Sequence, residues 1–347
     1  MLEIDGSYGE GGGQILRTSL GLSCMLRKPF RLYNIRKSRK RPGLMPQHLA
    51  CVRALARVSS ASVRGDDYGS TEIVFSPGES APGDFYFDIG TAGSTSLLLQ
   101  AVLPSLIMLS GNSTITLKGG THVPFSPPFH YIRDVFAPAL AGLGIGINIE
   151  LSRCGFYPKG GGEMRVEIQP SGRVKGLRPG ERGGTRSVRG ISGVGNLPVG
   201  ISERQREAAV RLLLRHGLNA KIDLLEAPAF GRGTFLFLLL ESEDCLAGFS
   251  ALGAIGKKAE TVGEEAAREL IDHYRTQACL DPHLADQIIP HLAIAAEESS
   301  FTTSRISGHL LTNLWITEKF AGIRYAVRGG EGEPGKVFVQ PASGNEG

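Results

Sequence analysis

The sequence contains few cysteines, a single tryptophan and no long hydrophobic run. Its five cysteines among 347 residues are scattered and form no CxxC pair, which argues against a zinc site and against a disulfide scaffold. The most apolar window, Leu97 to Ser110, contains Gln100 and Pro104 and falls short of the roughly 20 residues that a membrane helix needs. Met1 to Gly13 is polar and glycine-rich, unlike a secretory signal. We therefore expect a soluble, cytoplasmic protein with no membrane partner.

Glycine is abundant, and basic charge is concentrated in one segment. The 47 glycines follow no collagen period, so they indicate many tight turns or backbone-lined surfaces. The net charge is only +4, yet Arg31 to Arg41 (RLYNIRKSRKR) holds six basic residues and no acidic one. Guanidinium groups bind phosphates through a planar fork, which suits an anionic partner. A solvated charged loop is the alternative.

The length suits about two domains, and the pattern of elements indicates an internal repeat in an α/β fold. A strand, a glycine cluster, a helix, a strand, a loop, a second helix and two strands are predicted over 2–75. The same order returns over 85–169, roughly 80 residues later, which indicates duplication within one domain. A third copy is interrupted by an α/β subdomain. The predicted divisions are 1–183 with 276–340 as the main domain, 184–275 as the insert and 341–347 as a flexible tail.

GSYGEGGGQILR, Gly6 to Arg17, is a glycine-rich loop that leads into a predicted helix. Loops of this kind present backbone N–H groups to an anion. No Gly-Lys-Ser/Thr follows and the GxGxxG spacing is absent, so this is neither a P-loop nor a dinucleotide motif, and a plain tight turn is the alternative. Glu10 is a candidate ligand for Mg²⁺ beside a phosphate, and Arg17 is expected near the same mouth.

His309 is the candidate nucleophile. In SRISGHLLTNLW, Ser307 can cap a helix, which places His309 in the first turn, where the helix dipole favours a neutral imidazole. A neutral imidazole beside a bound phosphate can attack phosphorus. A structural or exposed histidine is the alternative, since the chain has eight.

A further polar cluster lies in DPHLADQ, where His283, Asp286 and Gln287 fall at or near the start of a helix. That helix is predicted from Asp286 to Glu297. Asp286 is either a site residue or simply the N-cap of the helix. On the residues alone, the sequence supports only a phosphate-handling α/β protein.

Six motifs follow one another along essentially the whole chain: DGSYGEGGGQILR, RPGLMPQHL, DIGTAGSTSLLLQ, FYPKGGGE, HLADQ and SGHLLTN. Together they resemble the RNA 3′-terminal phosphate cyclase family. The resemblance implies an α/β (α+β) fold with three βαβαββ repeats like the C-terminal domain of translation initiation factor three. It also implies a smaller inserted domain with a thioredoxin-like arrangement.

The resemblance implies an ATP-dependent enzyme that works in three steps. A histidine attacks the α-phosphorus of ATP, the AMP passes to an RNA 3′-phosphate to give RNA(3′)pp(5′)A, and the 2′-OH closes a 2′,3′-cyclic phosphate. The implied partners are therefore ATP and RNA with a 3′-phosphate end. A divalent metal, Mg²⁺ or Mn²⁺, is implied as well, and whether the chain forms a homo-oligomer is left open.

The resemblance also assigns residues. His309 corresponds to the nucleophile and Glu10 to the carboxylate that meets the metal. Nucleotide-binding positions correspond to Gln100, His283, Leu284, Ala285, Asp286 and Gln287, with Asp286 as the ribose or adenine contact. Groups for the triphosphate and the RNA phosphate correspond to Arg17, Arg36, Arg39, Gln47 and His48. Similar proteins often carry an aromatic residue where this chain has His283.

Two other functions stay open. One branch of the same family acts as a scaffold in ribosomal RNA processing and lacks the catalytic histidine, whereas His309, Glu10 and Asp286 are all present here. Enolpyruvate transfer uses a similar repeat fold, but fold analogy alone does not carry function. A covalent label from α-labelled ATP would separate the cyclase from both.

Overall fold

The computed structural model describes residues 1–342, which form small mixed sheets covered by helices and confirm the predicted α/β (α+β) class. Of the predicted tail, residues 343–347 lie outside the described part. The strands are β1 (Leu2–Asp5), β2 (Phe30–Tyr33), β3 (Ser62–Arg64), β4 (Ile73–Ser76), β5 (Asp84–Asp88), β6 (Ser113–Gly119), β7 (Ile147–Arg153), β8 (Gly162–Ile168), β9 (Thr185–Gly195), β10 (Ala220–Glu226), β11 (Gly233–Ser242), β12 (Leu246–Leu252), β13 (Ser299–Thr303), β14 (Arg324–Arg328) and β15 (Gly335–Gln340).

The helices lie between these strands, and the one between β6 and β7 is irregular. A π-helical turn, Ile132–Phe136, separates its two α-helical parts, and a 3₁₀ turn, Leu103–Ser105, extends the helix before β6. The α-helices are α1 (Gly13–Leu26), α2 (Pro46–Val58), α3 (Thr95–Val102), α4 (Phe129–Tyr131), α5 (Ala137–Gly142), α6 (Gly200–Arg215), α7 (Ala259–Arg275), α8 (Pro282–Gln287), α9 (Ile289–Leu292) and α10 (Gly308–Ala321). Among residues 1–342, no helix has both the length and the apolar character needed to cross a membrane.

The first two sheets have the same strand order. One runs β1-β2-β4-β3 and the other β5-β6-β8-β7, and in each the first two strands are parallel while the remaining pairs are antiparallel. A third sheet runs β13-β15-β14, with antiparallel pairs. The Leu177 carbonyl accepts a hydrogen bond from the Ser300 N–H at 2.7 Å, so the segment around Leu177 lies beside β13.

The inner strand β11 of the fourth sheet, β10-β9-β11-β12, has both faces buried. Along β11, Phe235, Phe237 and Leu239 join the large core of the other sheets. The alternate residues Leu236, Leu238 and Leu240 join a separate core with α6 and α7. Because successive side chains of a strand point to opposite faces, burial of both faces explains the continuous apolar run FLFLLL.

One pair of cysteines contradicts the expectation drawn from their scattered spacing. Cys245 and Cys279 form a disulfide with Cα atoms 5.5 Å apart, joining the β11–β12 turn to the segment before α8. The two residues are 34 positions apart in the chain, and such pairing depends on the fold rather than on local spacing. Cys24, Cys51 and Cys154 are buried free thiols.

The predicted helix from Asp286 to Glu297 is wrong, because two short helices, α8 and α9, occupy this region and part of the segment before it. Pro290 lacks an N–H, so it cannot donate to the carbonyl of Asp286 as a continuous helix would require. The Asn313 side chain donates to that carbonyl instead, at 2.8 Å. Helix α8 begins earlier than predicted, with Asp281 as its N-cap and Pro282 in its first turn.

Candidate active site

The glycine-rich loop before α1 lies along the N-terminal turns of α10. Ser307 Oγ accepts a hydrogen bond from the Leu310 N–H at 3.1 Å, so Ser307 caps α10 as predicted, and His309 lies in the first turn. Gly9 approaches the same helix so closely that a Cβ there would lie 2.5 Å from Thr312 Oγ1. Its φ of +56° also disfavours any residue with a side chain. The glycine therefore lets the loop reach His309.

The His309 ring is held by its Nδ1 atom. Nδ1 lies 2.5 Å from Gln14 Oε1, which accepts its hydrogen bond, and 3.3 Å from the carboxylate oxygen Oε2 of Glu10. Gln14 Nε2 in turn donates to the His309 carbonyl at 3.1 Å, which fixes the orientation of the amide. Nδ1 is therefore the protonated nitrogen, and the lone pair of the neutral ring is on Nε2.

The surroundings keep His309 uncharged. Burial lowers the pKa of His309 below its ordinary value, and the positive charge of Arg17 acts in the same direction, while Glu10 opposes both. The position at the helix N-terminus also disfavours a cation. A neutral imidazole with a free Nε2 has the protonation state of a nucleophile.

His309 lies between two cavities. The larger, of about 720 Å³, extends from α1 and α8 to the fourth sheet, and the smaller, of about 300 Å³, opens beside Glu10. His283, Asp286 and His309 line both. The larger cavity is also lined by Gln14, Arg17, Gln100, Tyr131, Ser250, Lys257, Glu269 and Gln287. The smaller is also lined by Glu10, Arg305 and Glu331.

Gln100 and Gln287 meet in the wall of the larger cavity, where Gln100 Nε2 donates to Gln287 Oε1 at 2.7 Å. Asp286 lies next to them with 9% of its surface exposed. Burial raises the pKa of Asp286 well above its ordinary value, Asp281 and Glu10 add to the effect, and Arg17 opposes it. The carboxyl is thus positioned to hydrogen-bond a ligand rather than to remain an isolated charge.

Two residues predicted in this segment have no side chain in either cavity. Leu284 and Ala285 are 2% and 0% exposed and pack in the main core. Their backbone N–H groups are donated to Asp281, at 3.0 Å for Leu284 and 3.1 Å for Ala285. His283 between Pro282 and Leu284 is exposed, and its ring stands edge-to-face with Tyr131 at 6.2 Å between centroids.

Asp281 positions this segment and is the N-cap of α8, so Asp286, which the sequence left open as either a site residue or the N-cap, does not cap it. Asp281 Oδ1 accepts hydrogen bonds from the N–H groups of His283 and Leu284 at 2.9 and 3.0 Å. The Tyr131 hydroxyl donates to the same oxygen at 2.8 Å, and the Gly248 N–H donates to Oδ2 at 3.2 Å. One buried carboxylate thus joins α8, α4 and the fourth sheet. The Asp-Pro pair at 281–282 was the available signal for a helix start.

Asn313 is a second residue that sequence reasoning left without a role. It donates to the Asp286 carbonyl, and its own Oδ1 accepts a hydrogen bond from Thr18 Oγ1 at 2.8 Å. The chain of contacts links α1, α10 and α8 in the wall of the larger cavity, which Thr18 and Asn313 both line. The last residue of SGHLLTN therefore lines the site and also holds its elements together.

Arg17 and His48 converge over Gly13. A Cβ on Gly13 would lie 2.3 Å from His48 Nε2 and 2.9 Å from Arg17 Nη1. Burial, followed by the charges of Arg17 and Arg36, lowers the pKa of His48 to about 3, so His48 is neutral. Burial also lowers the pKa of Arg17, and within residues 1–342 this guanidinium forms no salt bridge. A partly buried guanidinium without a carboxylate partner is suited to an anionic ligand.

The basic residues of the loop after β2 differ in what they contact. Arg39 Nη2 donates to the Glu10 carbonyl at 3.1 Å, so Arg39 borders the glycine loop. Arg36 Nη1 instead donates to the carbonyls of Arg41 and Gly43 at 2.7 and 2.9 Å, and thereby fixes the loop itself. Gln47 lies in the first turn of α2, close to the second glycine cluster at Gly93. Arg39 Nη2 also lies 4.0 Å from Glu10 Oε2, so Arg39 contacts the site residue, whereas Arg36 contacts its own loop.

Gly13→Ala should destabilise the protein at the site without removing any of the site's polar groups. The added methyl group would overlap His48 and Arg17, so we expect a loss of about 1–3 kcal/mol in the free energy of unfolding. Chemical denaturation measures this loss. The control is Gly180→Ala, since a Cβ there meets nothing within 4 Å. Equal stabilities of the two variants would show that His48 and Arg17 move aside freely.

Glu10 offers a single carboxylate to a divalent cation. Across residues 1–342, no group of three or more His, Cys, Asp or Glu side chains is arranged to hold a metal ion. The Glu10 side chain is 43% exposed and borders the smaller cavity. Mg²⁺ commonly binds one or two carboxylates and completes its shell with substrate phosphates and water, so the donor set fits a cation that arrives with a phosphate ligand.

Comparison with known proteins settles the family. A family model described as RNA 3′-terminal phosphate cyclase matches residues 8–327. The chain belongs to the RNA 3′-terminal phosphate cyclase family. An RNA 3′-terminal phosphate cyclase of Methanopyrus kandleri is 45% identical over 98% of this chain and 99% of the relative. One from Sulfolobus acidocaldarius is 44% identical over 95% and 97%, and one from Nostoc punctiforme is 41% identical over 92% and 94%.

Membership of this cyclase family agrees with the resemblance found in the motifs. The match to the enzyme family extends over nearly the whole chain and includes the glycine-rich loop at Glu10 and the first turn of α10 at His309. The geometry adds that these two segments, almost 300 residues apart, meet through Gln14.

Proposed function

We propose that this chain converts an RNA 3′-phosphate to a 2′,3′-cyclic phosphate in an ATP-dependent reaction, through a covalent His309–AMP and an RNA(3′)pp(5′)A intermediate. One observation carries the proposal. His309 Nδ1 is bound to Gln14 Oε1 at 2.5 Å, which leaves the Nε2 lone pair of a neutral ring at the junction of two cavities. Family membership supports the reaction class.

In the first step, ATP occupies the larger cavity. Gln100, Asp286 and Gln287 hold the nucleoside, while the unpaired guanidinium of Arg17 receives phosphate oxygens. His309 Nε2 attacks the α-phosphorus, a nitrogen–phosphorus bond forms, and the bond to the β-phosphate oxygen breaks to release pyrophosphate. The ring gains positive charge, which Gln14 and Glu10 stabilise at Nδ1.

In the second step, an oxygen of the RNA 3′-phosphate attacks the phosphorus of the adenylate. The nitrogen–phosphorus bond breaks and its electron pair returns to Nε2 of His309. In the third step, the neighbouring 2′-OH loses its proton and attacks the 3′-phosphorus, so that AMP leaves with the bridging oxygen. Each displacement depends on positioning and on positive charge at the phosphates, which the basic residues around Gly13 and Glu10 supply.

Glu10 is the residue that would hold a divalent cation, Mg²⁺ or Mn²⁺. When bound, such a cation neutralises phosphate charge and orients a leaving pyrophosphate. We expect Glu10→Gln to raise the Mg²⁺ concentration for half-maximal adenylylation by about 10- to 100-fold. Initial adenylylation rates across a MgCl₂ series measure this shift. Glu333→Gln, at an exposed carboxylate, is the control. An unchanged Mg²⁺ dependence of Glu10→Gln would remove the proposed role.

We also propose that the first three sheets are three copies of one βαβαββ unit in a main domain, 1–183 with 276–340. The shared order of the first two sheets supports this, as does the order β13-β15-β14 with the segment around Leu177 beside β13. Residues 184–275 would form the inserted domain, and its separate core with α6 and α7 supports that division. The thioredoxin-like assignment of the insert is part of the same proposal.

The test is an assay with a 5′-labelled oligoribonucleotide that ends in a 3′-phosphate. We expect ATP and Mg²⁺ to convert the end to a phosphatase-resistant cyclic phosphate, with one AMP and one pyrophosphate released per end. The matching oligonucleotide with a 3′-hydroxyl is the control and should not react. Conversion without ATP, or no conversion together with no adenylylated protein, would contradict the proposal.

A further inference from the structure

Two aromatic side chains stack at the surface beside the proposed active site. The rings of Tyr8 and Trp315 lie 3.9 Å apart at an interplanar angle of 15°. Tyr8 is 44% exposed, and Trp315 is the only tryptophan of the chain. Single exposed apolar residues are common on protein surfaces, so exposure alone points to no ligand. The position of the pair is more informative.

The pair lies further along α10 than the nucleophile, where the glycine-rich loop covers the helix. Three successive loop residues follow the helix: Glu10 contacts His309, Gly9 meets Thr312, and Tyr8 covers Trp315. Trp315 is six residues after His309, about 9 Å along the helix axis and about a third of a turn around it. The loop connects the two positions, because Tyr8 covers Trp315 and Glu10, two residues later, contacts His309. Two residues of chain span about 7 Å at most, so the stack lies within about one nucleotide of the Glu10–His309 contact.

The charges around the pair favour a nucleic-acid strand on one side. Arg39, at the edge of the basic loop, donates to the Glu10 carbonyl, and its Nη2 would be 3.1 Å from a Cβ on Gly12. On the other side, the next turn of α10 after Trp315 carries the exposed Glu318 and Lys319, whose charges offset each other. Phosphates that precede the 3′ end are therefore attracted towards the basic loop rather than along α10.

We propose that the open side of the Tyr8–Trp315 stack binds the base of the 3′-terminal nucleotide of the RNA substrate, with the strand leaving towards Arg39. The proposal rests on the function proposed above. Every base has an aromatic face, so stacking on this pair accepts all four bases and lets the protein act on ends of varied sequence. The ligand is a single-stranded RNA end.

The sole tryptophan gives a direct measurement of binding. Trp315 fluorescence would be titrated, without ATP, with an oligoribonucleotide ending in a 3′-phosphate and with the same oligonucleotide carrying an abasic terminal nucleotide. We expect saturable quenching by the intact RNA and about 10- to 100-fold weaker binding of the abasic RNA. Equal affinities for the two, or no change in fluorescence on RNA binding, would overturn the proposal.

Variants of Tyr8 provide a second test of the stacking proposal. Tyr8→Ala should raise the KM for the oligonucleotide by about 10- to 100-fold, and Tyr8→Phe, which keeps the ring, should restore it. Tyr86→Ala removes an exposed tyrosine from β5 and serves as the control. A wild-type KM for Tyr8→Ala would overturn the proposal.

Adenylylation of His309 from ATP, measured without RNA, shows for each variant whether the loop that carries Glu10 keeps its place. It also separates the two proposals. A wild-type protein that forms no adenylate but binds intact RNA more tightly than abasic RNA would contradict the proposed function and still support base stacking.

Discussion

His309→Ala should abolish the transfer of AMP from α-labelled ATP to the protein, by a factor of more than about 10⁴. Nε2 of His309 is the nitrogen that we propose forms the bond to phosphorus, and alanine offers no nucleophile in its place. The same variant should form no cyclic phosphate from a 3′-phosphate RNA. Denaturing gels of the labelled protein measure the first effect, and chromatography of the RNA measures the second.

The control for this loss is His216→Ala. His216 ends α6 and lines neither cavity, so the variant should be labelled at the wild-type rate. Synthetic RNA(3′)pp(5′)A tests the third step separately. Its cyclisation does not require an adenylylated histidine. Retention of the covalent label in His309→Ala would show that another residue is the nucleophile.

Gln14→Leu should reduce the rate of His309 adenylylation by about 100-fold while leaving the histidine in place. Leucine cannot accept a hydrogen bond from Nδ1, so the ring loses both its fixed orientation and the tautomer that puts the lone pair on Nε2. The change should reduce kcat more than it raises the KM for ATP. Single-turnover labelling over a range of ATP concentrations measures both. Gln340→Leu, at an exposed glutamine, is the control.

Gln14→Glu separates the effect of the His309 ring orientation on the rate from the effect of nearby charge. Glutamate keeps an acceptor for Nδ1 but adds a second negative charge beside Glu10, which raises the pKa of His309. The neutral ring is the reactive form, so the rate should fall at low pH. In the wild type, burial lowers the pKa of His309, so the rate should stay level as pH falls through the ordinary value of about 6.5. In Gln14→Glu the fall should begin at higher pH. Identical pH profiles of the wild type, Gln14→Leu and Gln14→Glu would exclude a positioning role for Gln14.

Local features of the site were predictable from the sequence because they depend on neighbours along the chain. The cap formed by Ser307 places His309 in the first turn of α10, as expected from the Ser-x-His spacing. Strands β1 and β2 begin and end at the predicted residues. The glycine cluster around Glu10 forms a loop that leads into α1, also as predicted.

Features that depend on distant contacts were missed. Gln14 looks like an ordinary residue of α1, and its contact with His309 spans 295 positions. Asp281 binds Tyr131 and Gly248, neither of which is near it in sequence. The resemblance placed Arg36 with the groups for the phosphates, and that placement did not show that Arg36 Nη1 also holds the carbonyls of Arg41 and Gly43. Such roles are set by the tertiary fold and leave no periodic pattern in the sequence.

The central claim is that the neutral Nε2 of His309 forms the bond to the α-phosphorus of ATP. The most direct measurement is NMR of the adenylylated protein prepared with ¹⁵N-labelled histidine. We expect ³¹P–¹⁵N coupling at the Nε2 of one histidine, lost in His309→Ala, with Nδ1 still protonated. Phosphorus coupled to a Nδ1 atom, to a different residue or to no protein nitrogen at all would contradict it.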